Sequence, residues 1–307
     1  MGHTRGLVGG LKVVFDPSYE VDIGPHVFPT RKYRLVRDRL LAEGVIAESD
    51  LVSPQPASDE ELALAHTPGY LQKVEAGRFT IAELMLLEIP FSPEVGAAAR
   101  LCAGGSIATA RIALERGVAV HLGGGFHHAF ADHGEGFCVI NDVAVAIRTL
   151  LHAGEIRRAA VIDCDVHHGN GTAAIFAAEE ATFTFSIHQE HNYPLVKPPS
   201  DLDVGLADGT GDAEYLARLA EHVPDELRRH APDLAFYLAG ADPYREDQLG
   251  GLGLTLTGLA ERDAFVLGTL RELDVPAAVV LAGGYAWRPE DTVAIHCATV
   301  RAALAVA

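Results

Sequence analysis

The run Ala159-Ala160-Val161-Ile162 passes directly into Asp163-Cys164-Asp165-Val166-His167-His168-Gly169-Asn170-Gly171. Consecutive small and branched apolar residues read as a strand buried on both faces, as in parallel sheets. The glycines that follow signal a sharp turn into a helix. Two carboxylates and an imidazole therefore stand at alternate positions on the carboxyl edge of a sheet, where α/β folds place their sites. Asp and His together are ligands for a catalytic zinc or a similar divalent ion.

The same junction recurs along the chain. Strands are expected over 12–15, 118–122, 159–163, 182–187, 234–239 and 277–282, with helices over 93–116, 142–152, 213–229 and 257–273. Pro93 suits a first helical turn, and Asn141 suits the cap before Asp142. Strand–helix alternation predicts an α/β fold of three layers, α/β/α, around a central, mostly parallel sheet. No repeat or linker divides the sequence, so residues 1–307 are read as one domain. Residues 17–92 are expected to form loops and helices at the sheet's mouth.

Five strand ends carry polar chemistry. His127 and His128 follow 118–122 and a glycine run, and Asp163, Asp165 and His167 end 159–163. Ser186 and His188 end 182–187, Asp242 follows 234–239, and Tyr285 follows 277–282 and Gly283-Gly284. A lone His-His pair is usually surface or satisfied core, and Gly-Gly-Tyr alone is a common turn. Convergence at one sheet edge is stronger evidence than any single motif. His26, His66, His133, His188 and His191 lack such support and are read as structural or rim residues.

Asp165, His167 and Asp242 would form a three-ligand site with a position left for water and substrate. An oxygen-rich set admits Zn2+ and also Fe2+. Such an ion can lower the pKa of a coordinated water and polarise a carbonyl. His127 and His128 can handle protons once each has a partner to fix its tautomer. Asp163 is the candidate for His127, and Asn170 for His128. The Tyr285 phenol can donate to a developing oxyanion. These parts together describe metal-assisted amide hydrolysis.

Composition excludes several alternatives. Forty-two acidic against 24 basic residues give a net charge of −18, which opposes direct nucleic-acid binding and binding to anionic membranes. No apolar run approaches the ~20 residues of a membrane span. The Gly-Leu-Val-Gly-Gly stretch near the amino terminus is too short for a signal peptide, and Gly6 stands where myristoylation wants Ser or Thr. Cys102, Cys138, Cys164 and Cys297 form no CxxC pair and are read as buried thiols in a reducing compartment. A cytoplasmic protein is expected.

Taken together, Gly125-Phe126-His127-His128-Ala129, Gly136-Phe137-Cys138 with Asn141-Asp142, Asp163 through Gly169, Ala239-Gly240-Ala241-Asp242 and Gly283-Gly284-Tyr285 resemble the histone deacetylase family of the arginase/deacetylase fold. His66-Thr67-Pro68-Gly69-Tyr70-Leu71 is similar to a further family element. Ser186-Ile187-His188-Gln189-Glu190, Asn192-Tyr193-Pro194, Asp208-Gly209-Thr210-Gly211-Asp212 and Leu249-Gly250-Gly251-Leu252 resemble the small class IV type and its bacterial relatives.

The resemblance implies that Asp165, His167 and Asp242 bind one zinc, that His127 and His128 are the paired histidines, and that Tyr285 polarises the acyl carbonyl. It implies an acyl-lysine tunnel lined by Gly136 and Phe137, with Tyr193 opposite. It further implies a structural potassium near Asp163, Asp165, His167, Ser186 and Ile187. Asn170 stands where some members have Asp, which should lower the pKa of His128. The manganese-binding arginase branch uses an Asp-x-His-x-Asp run that is absent here. Polyamine-selective relatives place a glutamate gatekeeper where counting from Asp242 puts Leu249. Apolar Leu249 favours a neutral acyl-lysine in a protein or peptide and tolerates longer acyl chains. An acetylpolyamine or other small-molecule amidohydrolase is the alternative, and a non-catalytic acyl-lysine reader a more distant one. Oligomeric state is left open.

Overall fold

A computed structural model describes residues 10–307. The amino-terminal residues weighed above for a leader or a lipid site, up to Gly9, lie outside it. The strands are β1 (Lys12–Val14), β2 (Leu51–Val52), β3 (Val118–His121), β4 (Ala159–Asp163), β5 (Thr182–Gln189), β6 (Leu202–Leu206), β7 (Leu234–Leu238) and β8 (Ala277–Val280). They form one eight-stranded sheet in the order β2-β1-β3-β8-β7-β4-β5-β6. All its ladders are parallel, so the expected mostly parallel sheet is wholly parallel among the described strands. Every residue of β3, β4, β7 and β8 is buried. That explains why these strands read as unbroken apolar runs.

The helices are α1 (Lys32–Ala42), α2 (Asp59–Ala63), α3 (Pro68–Ala76), α4 (Ile81–Leu87), α5 (Pro93–Arg116), α6 (Asp142–His152), α7 (Asn170–Phe176), α8 (Asp212–His230), α9 (Leu256–Glu272) and α10 (Pro289–Val306). α5 lies along β1, β3 and β8 and packs on α6, while α1, α10, α9 and α8 form a row of packed neighbours. The α8 residues Tyr215, Leu219, Val223 and Leu227 are buried. Their spacing of four places one apolar stripe against the core. Ser92 caps α5 by accepting from Val95 N, with Pro93 in the first turn, and Asn141 caps α6 by accepting from Ala144 N.

Two strands escape the sequence pattern. β2 has only two residues, and edge strand β6 alternates exposed with buried positions. Pairing with β6 carries β5 on to Gln189, two residues beyond its expected end. Ser186 and His188 therefore lie within β5. Residues 17–92 hold α1–α4 and β2. All four cysteines are free and buried. Among the described residues, no helix is long and apolar enough to cross a membrane.

Candidate active site

Three adjacent strands, β8, β7 and β4, end beside one another and set out the site. Just past β4, Asp165 Oδ1 accepts from the His167 main-chain N at 3.0 Å and lies 3.0 Å from His167 Nδ1. Its Oδ2 accepts from Gly283 N at 2.8 Å, which ties the turn after β8 to the end of β4. Beyond β7, Asp242 Oδ1 accepts from Val166 N at 2.9 Å. Asp242 Oδ2 is buried with no hydrogen-bond partner and lies 3.5 Å from His167 Nδ1. One ligand atom from each of Asp165, His167 and Asp242 falls within 4.8 Å of the others.

The residues present fit a divalent cation. Two buried carboxylates side by side are costly unless a positive charge compensates them, and one oxygen is left without a partner. Burial works against an ionised Asp165, yet His127 and His167 hold its pKa well below the usual range. Burial and the Asp165 charge raise that of Asp242. Burial opposes a charged His167, but Asp165 and Asp242 outweigh it and raise its pKa to about 10. Gly283 keeps the space clear, because a Cβ there would overlap Asp242 Oδ2 and lie 2.6 Å from Asp165 Oδ2.

The paired histidines stand beside these three residues. His127 Nδ1 donates to Asp163 Oδ2 at 2.6 Å, and the His127 and His128 Nε2 atoms are 3.1 Å apart. Burial depresses His127, but the Asp163 and Asp165 charges reverse this and raise its pKa to about 9. Burial, then the charges of His127 and His167, push His128 well below the usual range. His128 Nδ1 lies 2.7 Å from Asn170 Oδ1. One histidine is thus favoured as imidazolium and its neighbour as neutral imidazole. The turn bearing both is held by Asp142, which accepts from Gly125 N and Phe126 N.

A cavity of about 410 Å³ opens from the surface to this group and is lined by Phe28, Glu88, Gly136, Phe137, Tyr193, Leu249 and Tyr285 among others. Phe137 stacks on Phe28 with centroids 5.9 Å apart, and Tyr193 sets its ring edge-on to His128 at 5.0 Å. Gly136 has φ +52°, and a Cβ there would come within 2.7 Å of His128 Cδ2. The Tyr285 main chain is fixed from both sides: its N donates to Asp247 Oδ2 at 2.7 Å, and its O accepts from Gln248 Nε2 at 2.8 Å. Burial, then Asp242, keep the Tyr285 phenol protonated. Asp247 Oδ1 also accepts from Leu249 N at 2.8 Å.

The residues expected around a monovalent cation lie close in the sheet, since Asp163 and Ser186 are register partners across β4 and β5, with Ile187 next. Ser186 Oγ bonds His188 Nδ1 at 3.0 Å. A second group, His168, His188 and Asp203, also has three ligand atoms within 4.8 Å. His168 Nε2 pairs with Asp203 Oδ1 at 3.1 Å, so contacts within the group account for this geometry. His66 is structural: it bonds Phe130 O through Nδ1 and accepts from Asn141 N at Nε2. His26 lines the cavity mouth.

Three residues near the centre carry no sequence motif. Lys32 is fully buried and donates to Ala282 O at 2.6 Å. Burial lowers its pKa to about 8, against the pull of Asp242 and Asp165. Asp247 supports Tyr285, and Glu135 contacts both Asn170 and Tyr193. For Glu135 and Asp247 the only sequence signal is a charge beside Gly136-Phe137 or shortly after Asp242, and for Lys32 there is none.

The histone deacetylase domain family matches residues 26–301 of this chain. The chain is 42% identical to an uncharacterized protein of Picosynechococcus, over 96% of this chain and 98% of that one. It is 29% identical to Histone deacetylase 2 of Arabidopsis thaliana, over 90% of this chain and 74% of that one. It is 30% identical to the acetoin utilization protein AcuC of Bacillus subtilis, over 79% and 69%. The crystal structure of the HDA15 HD domain superposes with a TM-score of 0.81 at 25% identity, covering 96% of this chain and 88% of that one.

Proposed function

The chain belongs to the histone deacetylase family, and from that premise we propose that it is a zinc-dependent lysine deacylase acting on acyl-lysine in proteins or peptides. The family and its deacetylase relatives support metal-dependent deacetylation of amides. The finer reading rests on one observation: His127, His128, Asp165, His167 and Tyr285 border one cavity, with Asp163 and Asn170 paired to the two histidines and Asp242 grouped with Asp165 and His167.

Asp165, His167 and Asp242 would hold the ion. When bound, it supplies Lewis acidity to the acyl carbonyl and to water. The chain's own residues do the rest. His128, neutral in its surroundings, accepts a proton from attacking water. His127, held as imidazolium by Asp163, returns a proton to the departing amine. Tyr285 donates its phenol hydrogen to the developing oxyanion. The rings of Phe28, Phe137 and Tyr193, with Leu249, enclose the neutral acyl-lysine stem.

The proposal takes residues 1–307 as one catalytic domain of the class IV-like branch. It places zinc rather than iron(II) at the triad and potassium by Asp163, Asp165, His167, Ser186 and Ile187. The buried free thiols favour a cytoplasmic setting. One feature favours the polyamine alternative: the exposed Glu88 carboxylate at the cavity mouth suits a substrate cation.

Turnover of acetyl-, octanoyl- and myristoyl-lysine peptides and of acetylspermidine, by zinc-loaded and chelated enzyme, tests the assignment. Chelator-sensitive release from lysine peptides is expected, and the chain-length ranking reports cavity depth. Preference for acetylspermidine would transfer the assignment to polyamines. Absence of turnover on every substrate, with one metal equivalent bound, would favour a binding protein.

A further inference from the structure

We infer that Glu135 is a positioning residue: by holding the side-chain amide of Asn170 in one orientation, it decides which nitrogen of His128 carries the proton. The inference rests on the proposed role of His128 as the base.

Glu135 sits in a tight turn. Its N donates to Cys138 O at 3.1 Å, and Cys138 N donates back to Glu135 O at 2.9 Å. The two central residues, Gly136 and Phe137, have φ of +52° and +69°. Positive φ at both is the signature of a type I′ turn. The carboxyl-terminal end of α4 clamps this turn, with Leu86 O and Leu87 O accepting from Gly136 N and Phe137 N. The Glu135 side chain is 14% exposed and directed at the site. Its Oε1 accepts from Asn170 Nδ2 at 2.7 Å and from the Tyr193 hydroxyl at 3.1 Å. Its Oε2 lies 3.5 Å from His133 Nε2.

A primary amide is nearly symmetric in shape but not in chemistry, since one end only donates and the other only accepts. A carboxylate accepts only, so the Asn170 end facing Glu135 must be the NH2. The carbonyl end, Oδ1, is then left facing His128 Nδ1 at 2.7 Å. An acceptor there requires His128 Nδ1 to be the donor. His128 Nε2 is therefore the unprotonated nitrogen, and it lies 3.1 Å from His127 Nε2. The reversed amide would set its oxygen against the Glu135 carboxylate and its NH2 against His128. His128 would then carry its proton on Nε2, where no base could act. A carboxylate at position 170 would need no such device, because both its oxygens accept. Glu135 thus supplies through an amide the orientation that an aspartate would impose directly.

The test combines turnover with a readout independent of it. Glu135→Leu is expected to lower kcat by about tenfold to a hundredfold, the usual range for an outer partner of a site, with a smaller effect on KM. Glu135→Gln keeps an acceptor toward Asn170 and Tyr193 and should hold kcat within about threefold of the parent. Asn170→Asp in the Glu135→Leu background should recover most of the loss. Asn170→Asp with Glu135 retained faces two carboxylates and should be worse than that double variant. Nitrogen-15 spectra of histidine-labelled protein should show His128 protonated at Nδ1 in the parent and in Glu135→Gln, and shifted toward the Nε2 form in Glu135→Leu. An unchanged kcat or an unchanged His128 spectrum in folded Glu135→Leu would overturn the inference, as would a double variant no better than Glu135→Leu. If the parent turns over no substrate, the enzymatic reading fails, and the spectra still judge the role of Glu135.

Discussion

Tyr285 brings to the cavity a hydroxyl on a ring set edge-on to Phe137 and beside Lys32, while Asp247 and Gln248 fix the peptide groups on either side of it. Tyr285→Phe should therefore lower kcat by on the order of 10²–10³, the usual effect of losing one oxyanion donor. Metal content, read by elemental analysis, should stay at the parent level. An undiminished kcat in the folded variant would remove Tyr285 from the chemistry. Asp242→Ala deletes the oxygen that has no protein partner and should lose bound zinc and turnover together. A variant that still holds a full equivalent would refute Asp242 as a ligand. Such residues could be read from sequence because their motifs follow strand ends. Lys32 could not, since its partner Ala282 is 250 positions away and folding alone makes the contact. Asp247 and Glu135 act on amides, whose positions no residue type announces.

At the scale of elements, α9 braces the strand ends that carry Asp165 and Asp242. Arg262 is fully buried and donates through Nη1 to Gly240 O at 2.7 Å and Cys164 O at 3.2 Å. Its Nε and Nη2 meet Asp263 Oδ1 at 3.0 and 2.8 Å. Asp263 in turn accepts from the Tyr237 hydroxyl of β7 and from Thr299 Oγ1 of α10. Breaking a buried pair by removing one partner strands the other charge, at a cost of about 3–5 kcal/mol. Arg262→Met should lower the urea midpoint accordingly, and Arg262→Met with Asp263→Leu should recover part of it. Equal midpoints for parent and single variant would show that the pair does not brace the sheet. The strands tied together here were legible because burial on both faces made them uniformly apolar. β6 was not, because an edge strand with one wet face mixes its signal, and β5 was read short for want of its partner.

The whole molecule holds several histidines that acid should attack. Burial lowers the pKa of His66 to about 4 and of His121 to about 3, despite the bond that His66 makes to Phe130 O. An unfolded histidine titrates near ~6.5. Between these values the unfolded chain binds protons that the folded chain refuses. The stability from neutral His66 and His121 is therefore complete above ~6.5 and lost as pH falls through that window, by up to about 1.4 kcal/mol per pH unit for each group. The urea midpoint should fall between pH 6.5 and 4, and less steeply in His66→Gln. Identical slopes would exclude His66 as a contributor.

The strand order has a consequence for synthesis. β1, β2 and β3 form one run of neighbours, and β4, β5, β6 and β7 another, and among the described residues the only ladders between them are those that β8 makes with β3 and β7. In a chain emerging from the ribosome, the described ladders thus leave the two half-sheets without a shared strand until the segment bearing β8 is released. That segment also carries Gly283, which clears the space beside Asp242, and Tyr285, which faces the cavity. Closure of the architecture and completion of the proposed catalytic centre are one event, so a prematurely ended chain is neither a whole sheet nor a partial enzyme.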